Sequence, residues 1–136
     1  MIQRIQSVWF LLASVCAFLS LKMPFYIGTT KDHKPSYQLM GMENFYLMFL
    51  TIATGTLAFV IIFLFKKRRL QVRLSVLGIM LELLLIFLYY LQVRTYLDGT
   101  YALTSLLHSL VIFLFFLALR GIGRDINVIK KSDRLR

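Results

Sequence analysis

Four long apolar blocks, separated by short polar connections, constrain this chain more than any other feature of its sequence. They cover about residues 5–27, 44–65, 74–93 and 101–119. Each has roughly the 20 residues that an α-helix needs to cross the hydrocarbon core of a bilayer. A soluble domain cannot hide four such blocks in 136 residues, of which 59% are hydrophobic. The sequence therefore predicts an all-α membrane protein with four transmembrane helices, in which residues 1–136 form a single integral-membrane domain.

The short connections make neighbouring helices antiparallel. The distribution of positive charge then predicts which ends of the helices face the cytoplasm. Twelve of the sixteen Lys and Arg residues lie near the amino terminus, in the connection at 66–73 and in the tail at 120–136. Cytoplasmic segments of membrane proteins are enriched in Lys and Arg. We therefore expect two antiparallel helical hairpins in a bacterial inner membrane, with both termini in the cytoplasm.

The net charge and the single cysteine exclude several functional classes. A charge of +10 would indicate nucleic-acid binding in a soluble protein. Here the basic residues flank apolar blocks instead of covering a folded polar surface, so we expect no nucleic-acid partner. Cys16 has no second cysteine with which to form a disulfide, which argues against the membrane thiol oxidoreductases, because these need paired cysteines.

Glu82 is the sharpest polar feature, because it lies about nine residues into the third apolar block. A charged group near the centre of a bilayer costs about 2.5–3.5 kcal/mol on insertion scales, so such residues usually face the interior of the bundle. Two interpretations are open. Glu82 is either a site that couples to a proton or cation, or one half of an interhelical hydrogen bond.

Other polar residues share the depth of Glu82 in the predicted bundle. His108 belongs to a stripe with Thr104, Ser105 and Ser109 that should face inwards, and counting along antiparallel helices places it about 6 Å from Glu82 along the axis. The predicted intramembrane polar cluster, either structural or coupling, consists of Glu82, His108, Ser109, Ser14 and Thr54. His108 is either a proton relay or metal ligand, or a neutral histidine that is hydrogen-bonded to a neighbour.

The sequence contains no pattern that indicates a cofactor, a metal site or a catalytic centre. A bis-histidine haem needs two histidines at membrane depth, and only His108 qualifies, since His33 lies in a connection. No metal-ligand spacing, nucleophile motif or phosphate loop is present. We therefore expect a protein that is not an enzyme and carries no cofactor.

The tail at 120–136 has the pattern of a short basic amphipathic helix. Ile122, Ile126 and Ile129 share one helical face. Cations project elsewhere, and five of them are candidates for docking or lipid contact: Arg124, Lys130, Lys131, Arg134 and Arg136. The pattern favours a helix at the inner membrane interface that contacts anionic lipid headgroups or a partner protein.

Both ends of the chain resemble a known family. The opening Met1-Ile2-Gln3-Arg4-Ile5-Gln6 and the closing Asp133-Arg134-Leu135-Arg136 are similar to those of small four-span membrane proteins of Bacteroidota, described as domain of unknown function 4293. Asp125, Val128, Ile129 and Lys130 also resemble the family pattern, whereas Ile126 replaces an expected acidic residue. The resemblance implies a location in the inner membrane and no assigned activity.

Three functions remain open at this point. The first is a non-catalytic accessory or assembly subunit that binds other integral-membrane subunits of a larger complex, for example in translocation, secretion or respiration. The second is a small proton-coupled transporter that works as a dimer through Glu82. The third is a module between the third and fourth spans that binds quinone or lipid through His108 and Ser109.

Overall fold

Four helices and a small antiparallel sheet make up the fold. The computed structural model describes residues 3–31, 36–102 and 104–135. In chain order the elements are α1 (Gln3–Ser20), β1 (Pro24–Thr30), β2 (Tyr37–Met40), α2 (Phe45–Phe63), α3 (Arg68–Val93), β3 (Tyr96–Tyr101) and α4 (Ser105–Arg134). Helix α1 packs against α2 and α4, and α3 packs against the same two neighbours. The four helices alternate in direction, and the buried hydrophobic residues form two clusters, one of which includes residues of the sheet.

Three of the helices are long and apolar enough to cross a membrane. These are α2, with 19 residues, α3, with 26, and α4, with 30. Helix α1 is shorter, and its apolar part runs over Ile5–Ser20. Large hydrophobic side chains cover the outer faces of the bundle, and Phe49, Phe87 and Phe113 are each more than half exposed. Length and an apolar exterior together indicate a membrane protein.

Small side chains let the helices approach closely. Ala13 and Ala17 of α1 and Gly55 and Ala58 of α2 are buried in the bundle, and the Ser14 hydroxyl of α1 contacts the Gly55 carbonyl oxygen of α2. A Cβ on Gly78 would lie 2.8 Å from the Phe115 ring, so this glycine allows α3 to pack directly against α4. Close approach of this kind is how apolar helices pack without a hydrophobic driving force between them.

The sheet contradicts the prediction of an all-α fold. Its strand order is β2-β1-β3, and both pairings are antiparallel. Gly28 in β1 lies opposite Gly99 in β3, and a Cβ on either glycine would come within 3.0 Å of backbone or of the Tyr26 ring. The sheet lies at the end of the bundle where α1 and α3 finish, and it closes that end.

Several predicted boundaries are therefore wrong. The apolar block at 5–27 does not form one helix, because α1 ends at Ser20 and residues 24–30 pair as β1. The third helix begins at Arg68 instead of residue 74, and the fourth begins at Ser105 because residues 96–101 form β3. No separate helix forms the tail within the described residues, since α4 continues without a break to Arg134.

Candidate functional site

The candidate site is a buried pair of side chains that joins α3 to α4. Glu82 is about 21 Å along α3 from its start at Arg68, and His108 is in the first turn of α4. Both side chains point into the bundle, where Glu82 is 1% exposed and His108 is 2% exposed. An acidic and a basic side chain are thus enclosed together.

Glu82 and His108 are in direct contact. The Nδ1 atom of His108 lies 2.6 Å from Oε1 of Glu82. This distance is slightly shorter than is usual for a charge-assisted hydrogen bond between nitrogen and oxygen. One proton lies between the two atoms, and either the imidazole N–H donates to a carboxylate or the protonated carboxyl donates to the ring nitrogen. The two side chains thus meet directly, without the bridging water that the expected axial offset of about 6 Å would have allowed.

Two aromatic rings cover the histidine. Phe25 from β1 and Tyr89 from α3 are stacked with their ring centroids 4.2 Å apart. The His108 ring lies 5.7 Å from Phe25 and 5.1 Å from Tyr89, measured between centroids. The pair is therefore covered by apolar ring faces on the side of the sheet.

Two hydrogen bonds join strand β1 to the residues just before α4, and they hold Phe25 in place. The backbone N–H of Ala102 donates to the carbonyl oxygen of Phe25 at 3.0 Å. The hydroxyl of Thr104 donates to the carbonyl oxygen of Pro24. The sheet, which sequence reasoning missed, thus supplies part of the site.

The two carboxyl oxygens of Glu82 differ in their surroundings. Its Oε2 atom is buried and has no hydrogen-bond partner among the described residues. A buried polar atom without a partner costs about 1–3 kcal/mol. The site therefore has one satisfied oxygen and one unsatisfied oxygen.

The other members of the predicted polar cluster do not join this pair. The Ser14 hydroxyl donates to the carbonyl oxygen of Gly55 at 3.0 Å and so joins α1 to α2. The Thr54 hydroxyl donates to the carbonyl oxygen of Thr51 within α2. Ser109 is exposed, so its expected inward orientation is wrong.

A second buried polar group lies at the opposite end of the bundle from the sheet. Gln6 of α1 donates through Nε2 to Oδ2 of Asp125 in α4, at 2.7 Å. Nη1 of Arg68, at the start of α3, lies 3.9 Å from the same oxygen. Asp125 thus connects three helices.

Sequence reasoning assigned Asp125 no role in the bundle, although a signal was present. Apart from the adjacent pair Leu114 and Phe115, the buried positions of α4 are separated by three or four residues: His108, Val111, Leu114, Phe115, Ala118, Ile122 and Asp125. This is the spacing of one buried helical face. Extending the face past Ile122 would have placed Asp125 inside the bundle.

The predicted docking residues of the tail lie on the exposed side of α4. Arg124, Lys130, Lys131 and Arg134 are all exposed, whereas Arg136 and His33 lie outside the described residues. Val128 is 62% exposed beside these cations. Within the described ranges, no three His, Cys, Asp or Glu side chains come together as a possible metal site.

The fold and the buried pair define a class of small helical membrane proteins with a polar contact inside the bundle. The chain belongs to the family described as Domain of unknown function (DUF4293), whose model matches residues 2–135. This confirms the family resemblance noted at the two termini. No curated protein and no solved structure matches the chain.

Proposed function

We propose that the protein is a non-catalytic accessory subunit of a larger complex in the bacterial inner membrane, crossing the membrane four times with both termini in the cytoplasm. The length of α4 is the observation that carries the proposal. This helix has 30 residues and is about 45 Å long, against a hydrocarbon core of about 30 Å. Its last turns therefore extend beyond the hydrocarbon.

The distribution of charge supports the orientation. The α2–α3 turn, the starts of α1 and α3 and the second half of α4 all lie at one end of the alternating bundle, and eleven of the sixteen cations belong to the described residues of these segments. The sheet lies at the other end. A basic end of this kind stays in the cytoplasm.

The extension of α4 supports a role in docking. Val128 and Leu135 are 62% and 89% exposed, and they lie among the exposed cations of the tail. Apolar side chains that project from a basic helix beyond the hydrocarbon are suited to contact a partner protein. Inside the bundle, by contrast, Gln6 bonds to Asp125 and His108 bonds to Glu82 within the chain.

Native purification tests this function. A chain tagged at its carboxyl end, expressed at its natural level and extracted in mild detergent, should migrate in a complex far larger than 15.9 kDa, with a second polypeptide in fixed stoichiometry. Val128→Asn/Leu135→Asn should release the partner without removing the protein from the membrane, whereas Asn127→Gln should not. Recovery of the wild-type chain alone would contradict the proposal.

One observation favours proton-coupled transport as a second function. Glu82 has a buried oxygen without a hydrogen-bond partner in the described part of the chain, next to a histidine that shares a proton with its other oxygen. Such a carboxyl could exchange its proton for a cation. Purified wild-type protein should then release a proton when a lipophilic cation such as tetraphenylphosphonium is added, and Glu82→Gln should not. Equal responses from the two proteins would exclude this function.

A further inference from the structure

A basic cavity lies where the α2–α3 turn meets the extension of α4. Its volume is about 680 Å³. Six cations line it: Lys66, Lys67, Arg68, Arg69, Arg73 and Lys130. Three aliphatic side chains, Leu70, Ile126 and Ile129, form the rest of its wall. Positive charge and apolar surface thus meet in one concave site.

The aliphatic wall distinguishes this site from a simple patch of charge. A free anion needs only cations and hydrogen-bond donors, whereas a lipid also needs apolar surface for the first carbons of its acyl chains. Ile126 and Ile129 provide that surface on α4, and Leu70 provides it on α3. The cavity also lies at the ends of helices that are long enough to cross the hydrocarbon core, which is the depth of lipid headgroups.

One of the six cations, Arg68, lies near a buried carboxylate. Nη1 of Arg68 lies 3.9 Å from Oδ2 of Asp125, which is too long for a hydrogen bond, and this nitrogen has no hydrogen-bond partner among the described residues. Asp125 is itself held by Gln6. The buried carboxylate therefore positions the guanidinium through a nitrogen that is itself buried.

The number of charges indicates the class of headgroup. Asp125 balances one of the six cations. A headgroup with one phosphate would leave most of the remaining cations facing each other, whereas two phosphates would neutralise more of the repulsion. We propose that this cavity binds a phospholipid whose headgroup carries two phosphates, as in cardiolipin, with its acyl chains beside Leu70, Ile126 and Ile129. The proposal rests on the proposed membrane orientation, and it does not require a partner subunit.

Lipid binding to the isolated full-length protein tests this inference. Native mass spectrometry in detergent should detect one bound cardiolipin, with an affinity at least about tenfold higher than that for phosphatidylglycerol. Arg69→Gln/Arg73→Gln should weaken cardiolipin binding by about 30-fold, because each cation near an anionic lipid contributes about a factor of five. Both arginines are exposed, so the double variant should remain folded, and its melting temperature checks this.

A matched double variant separates a specific site from general charge. Lys131→Gln/Arg134→Gln removes the same charge from the same end of the chain but leaves the cavity lining intact. We expect its affinity for cardiolipin to change less than about twofold. Equal losses in the two double variants would overturn the site. Equal binding of phosphatidylglycerol would overturn the preference for two phosphates, and equal binding of inorganic diphosphate would overturn the role of the acyl chains.

A single variant keeps the inference testable even if the Arg69→Gln/Arg73→Gln variant does not fold. Lys130→Gln alters only one cation of the cavity, on a different helix from Arg69 and Arg73. Its loss of cardiolipin affinity should be about fivefold. Unchanged binding by a folded Lys130→Gln variant would contradict the inclusion of α4 in the site. Cysteine labelling tests the membrane orientation separately, so failure of the lipid site and failure of the orientation can be told apart.

Discussion

His108 Nδ1 and Glu82 Oε1 lie 2.6 Å apart inside the bundle, so a single hydrogen bond links the first turn of α4 to the middle of α3. Both side chains are almost completely buried. Hydrogen bonds between membrane helices contribute about 0.6 kcal/mol on average and up to about 1.7 kcal/mol. The short distance and the exclusion of solvent place this bond near the upper end of that range.

Removing the imidazole of His108 should destabilise the protein more than weakening its hydrogen bond to residue 82. We expect Glu82→Gln, which keeps a side chain able to bond the imidazole, to lower the free energy of unfolding by about 1 kcal/mol. His108→Leu should lower it by about 2–3 kcal/mol, because it leaves both carboxyl oxygens buried without a partner. Unfolding in mixed detergent micelles measures both values.

The double variant provides the control for this prediction. Glu82→Leu/His108→Leu removes both polar groups and should recover part of the stability lost in His108→Leu. Strictly additive losses in Glu82→Leu, His108→Leu and the double variant would contradict direct coupling between the two side chains.

The packing of α3 against α4 depends on the absence of a side chain at Gly78. A Cβ there would lie 2.8 Å from two atoms of the Phe115 ring and 3.2 Å from Leu57 Cδ2. We expect Gly78→Ala to lower the free energy of unfolding by about 1–3 kcal/mol, since the core would have to be overpacked. Thermal unfolding in detergent measures the loss.

Gly123→Ala is the matched control, because Gly123 is also helical and nothing lies within 4 Å of the position of its Cβ. Alanine favours the helix over glycine by up to about 1 kcal/mol, so this variant should be as stable as the wild type or more so. A larger loss in Gly123→Ala than in Gly78→Ala would contradict the described helix contacts.

Replacing Asp125 should lower the free energy of unfolding more than replacing Asp133, which lies further along the same helix. Asp125 is 8% exposed, accepts a hydrogen bond from Gln6 and faces Arg68. Asp125→Asn removes the counter-ion of Arg68, and we expect a loss of about 1–3 kcal/mol in unfolding free energy. Asp133→Asn alters an exposed side chain and should stay within about 0.5 kcal/mol of the wild type. Equal effects would show that Asp125 is not part of a buried network.

Tyr96 gives the sheet its own pH dependence. Burial, together with the smaller effects of the nearby Glu43, Tyr37 and Tyr26, raises the pKa of Tyr96 to about 12. Because the folded state holds the phenol proton more tightly, the resulting stabilisation is complete below pH 10 or so and is lost as the pH rises through about 12. The difference in absorbance at 295 nm between wild type and Tyr96→Phe should show one step centred near pH 12. A step near pH 10 would contradict the burial of Tyr96.

The number and the approximate positions of the helices could be predicted from the sequence, since runs of apolar residues report directly on hydrocarbon thickness. The sheet could not. Phe25, Tyr26 and Ile27 are apolar enough to extend the first block, and hydropathy alone cannot tell a buried strand from the end of a helix. The pairing of β1 with β3 also joins segments about 70 residues apart, and no local pattern reports such a contact.

The candidate site could be predicted in part. Glu82 and His108 stood out because polar groups are rare at their depth in an apolar sequence. Their direct contact was left open, since counting along ideal antiparallel helices placed His108 about one turn outward from the level of Glu82. The strand at 96–101 moves the start of α4 to Ser105, which places His108 in the first turn. The covering ring of Phe25 depends on the same unforeseen sheet.

Cysteine labelling in intact cells tests the central claim, which is that the chain crosses the membrane four times. The native Cys16 is first replaced by serine, and one exposed position is then changed to cysteine in each variant. A thiol reagent that cannot cross the membrane reports which positions face outwards. Permeabilised cells provide the control that every position can react.

The account predicts that Lys31→Cys and Thr100→Cys react in intact cells, because they lie on the side of the sheet. Lys67→Cys and Val128→Cys should react only after permeabilisation, because they lie at the basic end of the bundle. Labelling of all four positions from the same side would contradict the four crossings. Labelling of Lys67→Cys and Val128→Cys alone in intact cells would reverse the orientation.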